Sequence, residues 1–209
     1  MTCTNIMSRT ATKLHIGCFD QSVKGWINTD ITPHILIAKV PGLARLLFIL
    51  SLLPRTRYDQ HRARIFHDVR YLDVRKRFRF PAEAIDYVYS SHLIEHLYPQ
   101  EAAHCLAEIY RVLRPGGILR IAVPDLDVLV AGYDAKASDN FAGRIFESRS
   151  KGSKNQHHWM YNEVSLATLL ERNGFAHVER RKFREGLCPD LQLIEVREES
   201  LFLEAVKAP

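Results

Sequence analysis

The chain has 209 residues, of which 46% are hydrophobic, 25% charged and 10% aromatic. This composition is typical of a globular protein and excludes collagen-like, wholly disordered and disulfide-stabilised miniprotein classes. The length predicts one domain over residues 1–209, with an apolar and basic insertion at about residues 35–62.

The formal net charge of +5 comes from one stretch, residues 55–79, called here the basic window. It contains nine Lys and Arg side chains against three Asp and carries +6, so the rest of the chain sums to −1. Local basicity without regularly spaced stacking aromatics disfavours nucleic acid as a partner. It favours a phosphorylated small acceptor or an anionic membrane surface, although a solvated loop face would have the same composition.

The four cysteines are far apart and form no CxxC pair, which argues against zinc or redox chemistry. They are Cys3, Cys18, Cys105 and Cys188. Residues 1–13 are polar and lack the apolar core of a signal peptide. We therefore expect a cytoplasmic protein with mostly buried thiols, which could be peripheral to the membrane if the insertion binds lipid.

Short apolar or alternating segments predict seven strands, and two longer amphipathic segments predict helices. In chain order the strands are residues 14–18, 26–31, 63–69, 85–90, 118–123, 177–183 and 200–206, and the helices are residues 99–113 and 163–172. The run at 118–123 is nearly continuous in apolar residues, as in a strand covered on both faces. Strands that alternate with helices predict an α/β fold with a mostly parallel sheet.

The most apolar segment is residues 35–53, interrupted by charged, proline and glycine residues. Its uninterrupted part is far shorter than the roughly 20 residues that cross a bilayer. Two interpretations stay open. The segment is a buried helix or lid, or it is a helix lying on a membrane or on an apolar substrate beside the basic window, with membrane contact through residues 35–79.

Polar residues follow the predicted strands, at the edge where ligands bind in open parallel sheets. They include Asp30 after the second strand, Asp68-Val69 in the third, and Asp125 after the fifth. An acidic residue there can accept both hydroxyls of a ribose, and a polar residue beside an apolar one can hold an adenine. Aspartate is also a common turn residue, so each position alone is weak evidence.

Three segments together resemble the class I S-adenosylmethionine-dependent methyltransferases: LHIGC, GWINTDI and DYVYSSHLIEHLYPQEAAHCLAEIYRVLRPGGILRIAVPDL. The similarity extends to HHWMYNEVSLATLLERNGF and EESLFLEAVK, and it is strongest to small bacterial methyltransferases often associated with sugar and polysaccharide pathways. The resemblance implies a Rossmann-like seven-stranded sheet with helices on both faces and an antiparallel last strand. It also implies S-adenosylmethionine as the cofactor.

Carried over residue by residue, the resemblance assigns the cofactor site to three stretches. Gly17 would let the backbone approach the methionine part, with Cys18 and Phe19 in the same loop. Asp30 would bind the ribose, and Asp68 with Val69 the adenine. The turn formed by Ser90, Ser91 and His92 would complete the cofactor-binding set.

Phe19 departs from the family pattern, because this loop usually alternates two or three glycines. A side chain at this position either crowds the cofactor or gives the loop a different path. The alternative to an enzyme is therefore a catalytically degenerate binding module on the same fold.

Methyl transfer needs a general base only where the acceptor is a hydroxyl or a protonated amine. We expect His96 and His157 to be catalytic, with His92, His158 and Tyr161 as further candidates. His96 could instead have a structural role. Residues 151–156 could form a mobile substrate loop, and the expected acceptor is a small molecule, a sugar or a glycan-lipid.

Residues 92–96 also match HxxEH, the inverted zinc-peptidase signature. That site needs a third, acidic ligand on a nearby helix. The motif here directly follows a strand of an alternating α/β pattern, so the peptidase is a remote alternative, and we assign no metal ligands.

Overall fold

The computed structural model describes residues 10–146 and 156–208, and its strands form one seven-stranded sheet. The strands are β1 Lys13–Ile16, β2 Ile27–Asp30, β3 Arg70–Tyr71, β4 Ile85–Ser91, β5 Leu113–Pro124, β6 Phe175–Arg181 and β7 Ser200–Lys207. Their spatial order is β3-β2-β1-β4-β5-β7-β6. Strands β1 to β5 pair in parallel, and β7 runs antiparallel to both β5 and β6. The mostly parallel sheet with an antiparallel last strand is thereby confirmed.

The described helices connect these strands, and three of them lie between β2 and β3. They are α1 His34–Lys39, α2 Leu43–Ile49, α3 Arg55–Arg62, α4 Pro99–Val112, α5 Leu126–Ala131, α6 Ser138–Phe146, α7 Glu163–Arg172 and α8 Leu191–Ile194, with 3₁₀ turns at Ile94–His96 and Ala135–Ala137. The predictions of α4 and α7 are confirmed.

Both long helices begin and end where local chemistry favours it. Pro99 occupies the first turn of α4, where its missing N–H removes no hydrogen bond. Asn162 caps α7 by accepting the backbone N–H of Ser165 at its Oδ1, and the Asn162 N–H in turn donates to Ser165 Oγ. Gly174, which follows the C-cap residue Asn173 of α7, has φ +92°, a conformation that favours glycine.

The core lies where α4 and α7 cover the sheet. Leu106 and Ile109 of α4 and Leu166 and Leu170 of α7 are fully buried. They belong to one apolar cluster with Val88 of β4 and several side chains of β5 and β7. Since β5 is buried along its central residues, the prediction of a strand covered on both faces is confirmed.

Strands β3, β5 and β6 differ from their predicted ranges. Residues 63–68 form turns rather than a third strand, and β3 is only the pair Arg70–Tyr71, which aligns with Thr29 and Asp30 of β2. Strand β6 begins two residues earlier than predicted. Strand β5 begins at Leu113, because Leu113 pairs with Ile85 before a register shift brings Ile118 beside Tyr87. The glycines at 116–117 therefore form an irregularity within a strand rather than a separate loop.

The apolar insertion forms α1 and α2, with α3 following, and most of its side chains face outward. Only Ile35 and Leu53 are buried. Six large apolar side chains here are 52–70% exposed, namely Leu36, Val40, Leu46, Ile49, Leu50 and Leu52. The interpretation of this segment as a buried helix is therefore wrong. Among the described residues, no helix is both long and apolar enough to cross a membrane.

The expectation of buried thiols is confirmed for three cysteines. Cys18, Cys105 and Cys188 are buried and free. Cys3 lies outside the described residues.

Candidate functional site

The carboxyl ends of the parallel strands meet at one edge of the sheet, and strand order reverses between β1 and β4. Ile16 pairs with Thr29 on one side and with Ser90 on the other. The residues after β1, β2 and β4 are thus brought together at the switch point, the place where open α/β sheets bind ligands.

The loop after β1 turns sharply at Gly17. The backbone N–H groups of Gly17 and Cys18 both donate to the Thr29 carbonyl, at 2.9 and 3.0 Å. Gly17 has φ +71°, and a Cβ there would lie 3.1 Å from the Leu93 side chain. Glycine is required by this conformation and this close approach. Burial, reinforced by the nearby Asp30 charge, raises the pKa of the Cys18 thiol to about 12, so the thiol stays protonated.

Asp30 ends β2 with its carboxylate held by the backbone. Its Oδ2 accepts the Phe19 N–H at 3.0 Å, and its Oδ1 accepts the Thr32 N–H at 2.7 Å. Burial raises the pKa of Asp30 above its ordinary value although both bonds favour the charged form. Each oxygen keeps a lone pair beyond these contacts, so two neighbouring hydroxyls could still donate to it.

Phe19 has a left-handed backbone, with φ +43°, and its ring packs against the insertion. The Arg57 guanidinium lies 4.5 Å from the ring centroid, and the Phe66 ring centroid is 6.0 Å away. Arg57 also pairs with Asp20 at 3.1 Å, which ties α3 to the same loop. Residues of α3 and the following turn thus hold the Phe19 side chain at the position where the resemblance predicts glycine.

The expected placement of Asp68 at a strand end is wrong. Asp68 lies in the turn before β3, its side chain is 94% exposed, and its nearest charged partner is His67. Val69 is buried, but it packs with Cys18 and Ile35 in a small apolar cluster. The third strand was misplaced because its two residues carry no apolar periodicity of their own.

Asp73 takes the position that Asp68 was expected to hold. It follows β3 directly after Leu72, whose N–H donates to the Asp30 carbonyl. Its side chain is 6% exposed, and Arg75 binds both of its oxygens at 2.9 and 3.1 Å. These bonds hold the pKa of Asp73 below its usual range. The sequence signal was an Asp between two apolar residues, Leu72 and Val74.

The predicted residues Ser90, Ser91 and His92 lie at the end of β4 and in the turn that follows it. We call the space at the switch point, beyond the ends of β1, β2 and β4, the crevice. Ser90 is buried, and its Oγ has no hydrogen-bond partner among the described residues. Ser91 is the last residue of β4. His92 has φ +49° and faces away from β1, since its Nε2 lies 2.8 Å from Ser200 Oγ and its Nδ1 lies 3.2 Å from Glu95 Oε1.

The structure brings His96 and His157 together beyond the ends of β4 and β5. Their ring centroids are 4.9 Å apart. His96 Nδ1 bonds to the Gln156 carbonyl and His157 Nδ1 to the Ile145 carbonyl, both at 3.0 Å. A carbonyl only accepts, so both Nδ1 atoms donate.

Backbone contacts hold the segment after residue 155 against the 3₁₀ turn Ile94–His96. The N–H groups of His158 and Trp159 both donate to the Glu95 carbonyl, and Tyr161 forms a bridge with Asp125 after β5. The His158 ring stacks on Tyr98 at 4.3 Å and is exposed. Residues 151–155 of the predicted substrate loop lie outside the described residues.

Glu95 was not among the predicted site residues, although the HxxEH motif contains it. It is fully buried, and neither carboxylate oxygen accepts a hydrogen bond from a described residue. The Tyr161 hydroxyl is likewise buried and without such a bond. Burial, together with the Glu95 charge, raises the pKa of Tyr161 to about 12.

Comparison with known proteins gives one family and a shared fold. Residues 51–121 match the family model described as Methyltransferase domain. No curated protein sequence matches the chain. The matched stretch includes β3, Asp73, β4, the HxxEH segment and α4.

Solved methyltransferases share the architecture. An S-adenosylmethionine-dependent methyltransferase from Methanosarcina mazei aligns with 15% identity and a TM-score of 0.53 over 96% of this chain and 94% of that one. Phosphoethanolamine N-methyltransferase 2 from Haemonchus contortus, solved with S-adenosylmethionine, aligns with 17% identity and a TM-score of 0.53 over 96% of this chain and 50% of that one.

A possible exported protein from Bordetella parapertussis aligns with 14% identity and a TM-score of 0.52 over 96% of this chain. The chain spans 63% of that protein's length, less than two thirds.

The strand order and these similarities define a Rossmann-like class I methyltransferase fold. The family match is confined to residues 51–121, so the chain as a whole resembles the class I S-adenosylmethionine-dependent methyltransferases in fold.

Proposed function

We propose that this protein transfers a methyl group from S-adenosylmethionine to a hydroxyl of a glycan-type acceptor. The observation that carries the proposal is the Asp30 carboxylate, which ends β2 at the switch point with one lone pair left on each oxygen. A ribose diol is the group that such a carboxylate binds at this place in the fold.

The residues at the crevice fit the cofactor at three further points. Gly17 lets the backbone approach closely, the buried Ser90 Oγ has a free bonding position among the described residues, and Asp73 follows Leu72 at the end of β3. The role expected of Asp68 as the adenine ligand therefore passes to Asp73, with Val74 in place of Val69. The bound sulfonium supplies an activated methyl group, so the protein's main task is to position the acceptor in line with it.

His96 and His157 are the proposed acceptor-side groups. His96 presents an Nε2 lone pair, because its Nδ1 donates to the Gln156 carbonyl, and the His157 ring lies beside it at 4.9 Å. An imidazole in this tautomer can accept the proton that an acceptor hydroxyl loses as its oxygen bonds to the methyl carbon. An open cavity of about 320 Å³, lined by Phe146, Gln156, His157 and His158, gives His157 access to solvent.

The insertion favours an acceptor that carries a lipid. Six apolar side chains of α1, α2 and the following turn are more than half exposed, and Arg55 and Arg62 of α3 lie beside them with side chains 69% and 66% exposed. An apolar surface bordered by cations complements an anionic membrane. We therefore place the protein at a membrane surface, where a glycan-lipid would be available.

Calorimetric titration with S-adenosylmethionine and S-adenosylhomocysteine tests the cofactor assignment. We expect both ligands to bind the wild-type protein. Asp30→Ala should weaken binding tenfold or more, because hydrogen bonds to a charged group each contribute about 1.5–3 kcal/mol. His96→Ala should have a smaller effect on the same constants. Thermal melting of each variant checks that it is folded.

Asp68→Ala is the matched control, since it removes the same side chain from an exposed turn. It should leave the dissociation constants unchanged, whereas Asp73→Ala should raise them. If His96→Ala weakened binding more than Asp30→Ala, the proposed site would be wrong. Failure of both ligands to bind at millimolar concentration would favour the alternative, a binding module closed by Phe19.

A further inference from the structure

A second cavity lies between the start of α4 and one face of α7. It has a volume of about 250 Å³ and is open to solvent. Four of its lining residues follow the helical spacing of one face of α7, namely Ser165, Thr168, Leu169 and Arg172. The others come from the first turn of α4 and from the segment before α7, namely Pro99, Trp159 and Tyr161.

This cavity adjoins the proposed acceptor-side groups. Trp159 follows His157 by two residues, and its backbone N–H donates to the Glu95 carbonyl at 3.1 Å. Pro99 follows His96 by three residues. A ligand in the cavity therefore lies next to the place where the acceptor is proposed to react, and outside the crevice that the cofactor is proposed to occupy.

Trp159 presents an open aromatic surface to this cavity. The residue is 51% exposed, and within the described part of the chain no ring stacks on it and no group accepts its indole N–H. The other tryptophan, Trp26, is buried and donates its indole N–H to Asp190. A flat apolar ring with a donor at its edge can stack on the C–H face of a sugar and bind one of its hydroxyls.

Arg172 gives the cavity a positive charge. Its guanidinium forms no ion pair or hydrogen bond with a described residue, whereas Arg180 on β6 pairs with Asp125 and Glu163. None of the lining residues is acidic. The fork of N–H donors on Arg172 is therefore available to a ligand, and its geometry matches a carboxylate or a phosphate.

We propose that this cavity binds a sugar residue that carries an anionic group, either a carboxylate or a phosphate. Clefts that hold drug-sized ligands measure roughly 300–1,000 Å³, so this smaller cavity suits a single ring. Trp159 stacks on the ring, and Arg172 binds the anionic group. The inference deepens the proposed function and rests on it in one respect, since it makes the acceptor an acidic glycan. The binding itself needs no cofactor.

Titration of the isotope-labelled protein with sugars, followed by the NMR signals of its two indole N–H groups, tests the site. We expect glucuronate and glucose 6-phosphate to shift the Trp159 signal saturably and to leave the signal of the buried Trp26 in place. The tighter of the two identifies the anionic group. Glucose should bind about tenfold more weakly than either, because it offers no charged acceptor to Arg172.

Two variants separate the contributions of charge and stacking. Arg172→Gln should reduce the affinity for both anionic sugars to that for glucose, and Trp159→Ala should weaken the binding of all three, measured from the ligand signals. Arg197→Gln is the matched control, because Arg197 is also exposed and unpaired among the described residues but lies between α8 and β7. It should bind the sugars as the wild type does. Circular dichroism checks the fold of each variant.

The absence of any shift of the Trp159 signal at the highest concentration of either anionic sugar would overturn the proposal. Equal affinity for the three sugars, or a folded Arg172→Gln variant with wild-type affinity, would do so as well. S-adenosylmethionine binding should be unchanged in Trp159→Ala and Arg172→Gln, and sugar binding should be unchanged in Asp30→Ala. Failure of the cofactor site and failure of this cavity therefore appear in separate measurements.

Discussion

At the scale of single residues, one fully buried ion pair, Arg120 with Glu195, lies away from the crevice. Arg120, in the middle of β5, is fully buried and bonds to Glu195 at 2.7 Å. Its other nitrogens donate to the Lys182 and Glu185 carbonyls, and Glu204 lies 3.7 Å away. This network ties the segment between β6 and β7 to the centre of the sheet.

Removing one member of that pair should destabilise the fold strongly. Arg120→Met leaves the buried Glu195 carboxylate without its cation, which typically costs about 3–5 kcal/mol. We expect this loss in the free energy of unfolding by urea titration. The double variant Arg120→Met/Glu195→Met should lose less than the sum of the two single losses. Arg55→Met, which breaks an exposed pair with Asp59, should change stability by no more than about 0.5 kcal/mol.

Sequence patterns can identify the partner of a buried charged residue only where that partner is close in sequence. Arg120 stands inside an apolar run that correctly predicts a buried strand, but Glu195, 75 positions later, has no pattern that marks it as the partner. Asp30 could be placed because its strand alternates clearly. The pairing of His96 with His157 required the tertiary structure, since hydrogen bonds from a segment 60 residues away create it.

At the scale of elements, the insertion of α1 to α3 has two faces. One face holds the Phe19 loop through Arg57 and a ring cluster in which His34 stacks on Phe66 at 4.8 Å. The other exposes the apolar side chains of α2 and the following turn. The apolar composition of residues 35–53 therefore predicted burial wrongly, because it reflects an outward-facing surface rather than a core.

This outward face predicts binding to anionic vesicles. We expect the protein to sediment with phosphatidylcholine vesicles that contain phosphatidylglycerol, and the bound fraction to fall as salt is raised. Ile49→Asp and Leu52→Asp should each reduce partitioning at least tenfold, since burying such a side chain contributes about 1.5–3 kcal/mol.

Leu193→Asp is the control for that experiment, because Leu193 is 68% exposed but lies on α8. It should bind vesicles as the wild type does. Binding that is absent, or unchanged by salt and by both insertion variants, would contradict the membrane assignment and leave the insertion as a lid.

Elements with strong periodicity were predictable and short ones were not. The helix at residues 163–172 has an amphipathic face, a polar cap and a glycine stop, and its limits agree with the structure. Strand β3 has two residues that form only a few bonds with β2, so the more apolar residues before it gave the stronger and misleading signal. The strand end expected at Asp68 was misplaced for the same reason, and the proposed adenine ligand is therefore Asp73.

At the scale of the whole molecule, the sheet gathers residues that are distant in sequence and also encloses groups that must stay uncharged. His15 lies in β1, is 2% exposed and packs edge-on against Tyr89 and Trp26. Burial lowers the pKa of His15 from 6.5 to about 4, against a weaker opposing effect of the neighbouring Asn28 side chain. The folded protein therefore excludes a proton that the unfolded chain binds below pH 6.5.

This difference makes stability fall as the pH drops from about 6.5 towards 4, because only the unfolded state gains the proton there. Between pH 7 and pH 5 we expect a loss of about 2 kcal/mol from His15, measured by urea unfolding at both values. The variant His15→Asn keeps a polar side chain at this position and cannot titrate. Its loss of stability between pH 7 and pH 5 should therefore be smaller by about 2 kcal/mol. Burial also lowers the pKa values of His34 and His61. Their effect on stability is the same in the wild type and in His15→Asn, so it cancels when the two losses are compared. An equal loss in wild type and His15→Asn would show that His15 is protonated to the same extent in the folded and unfolded states.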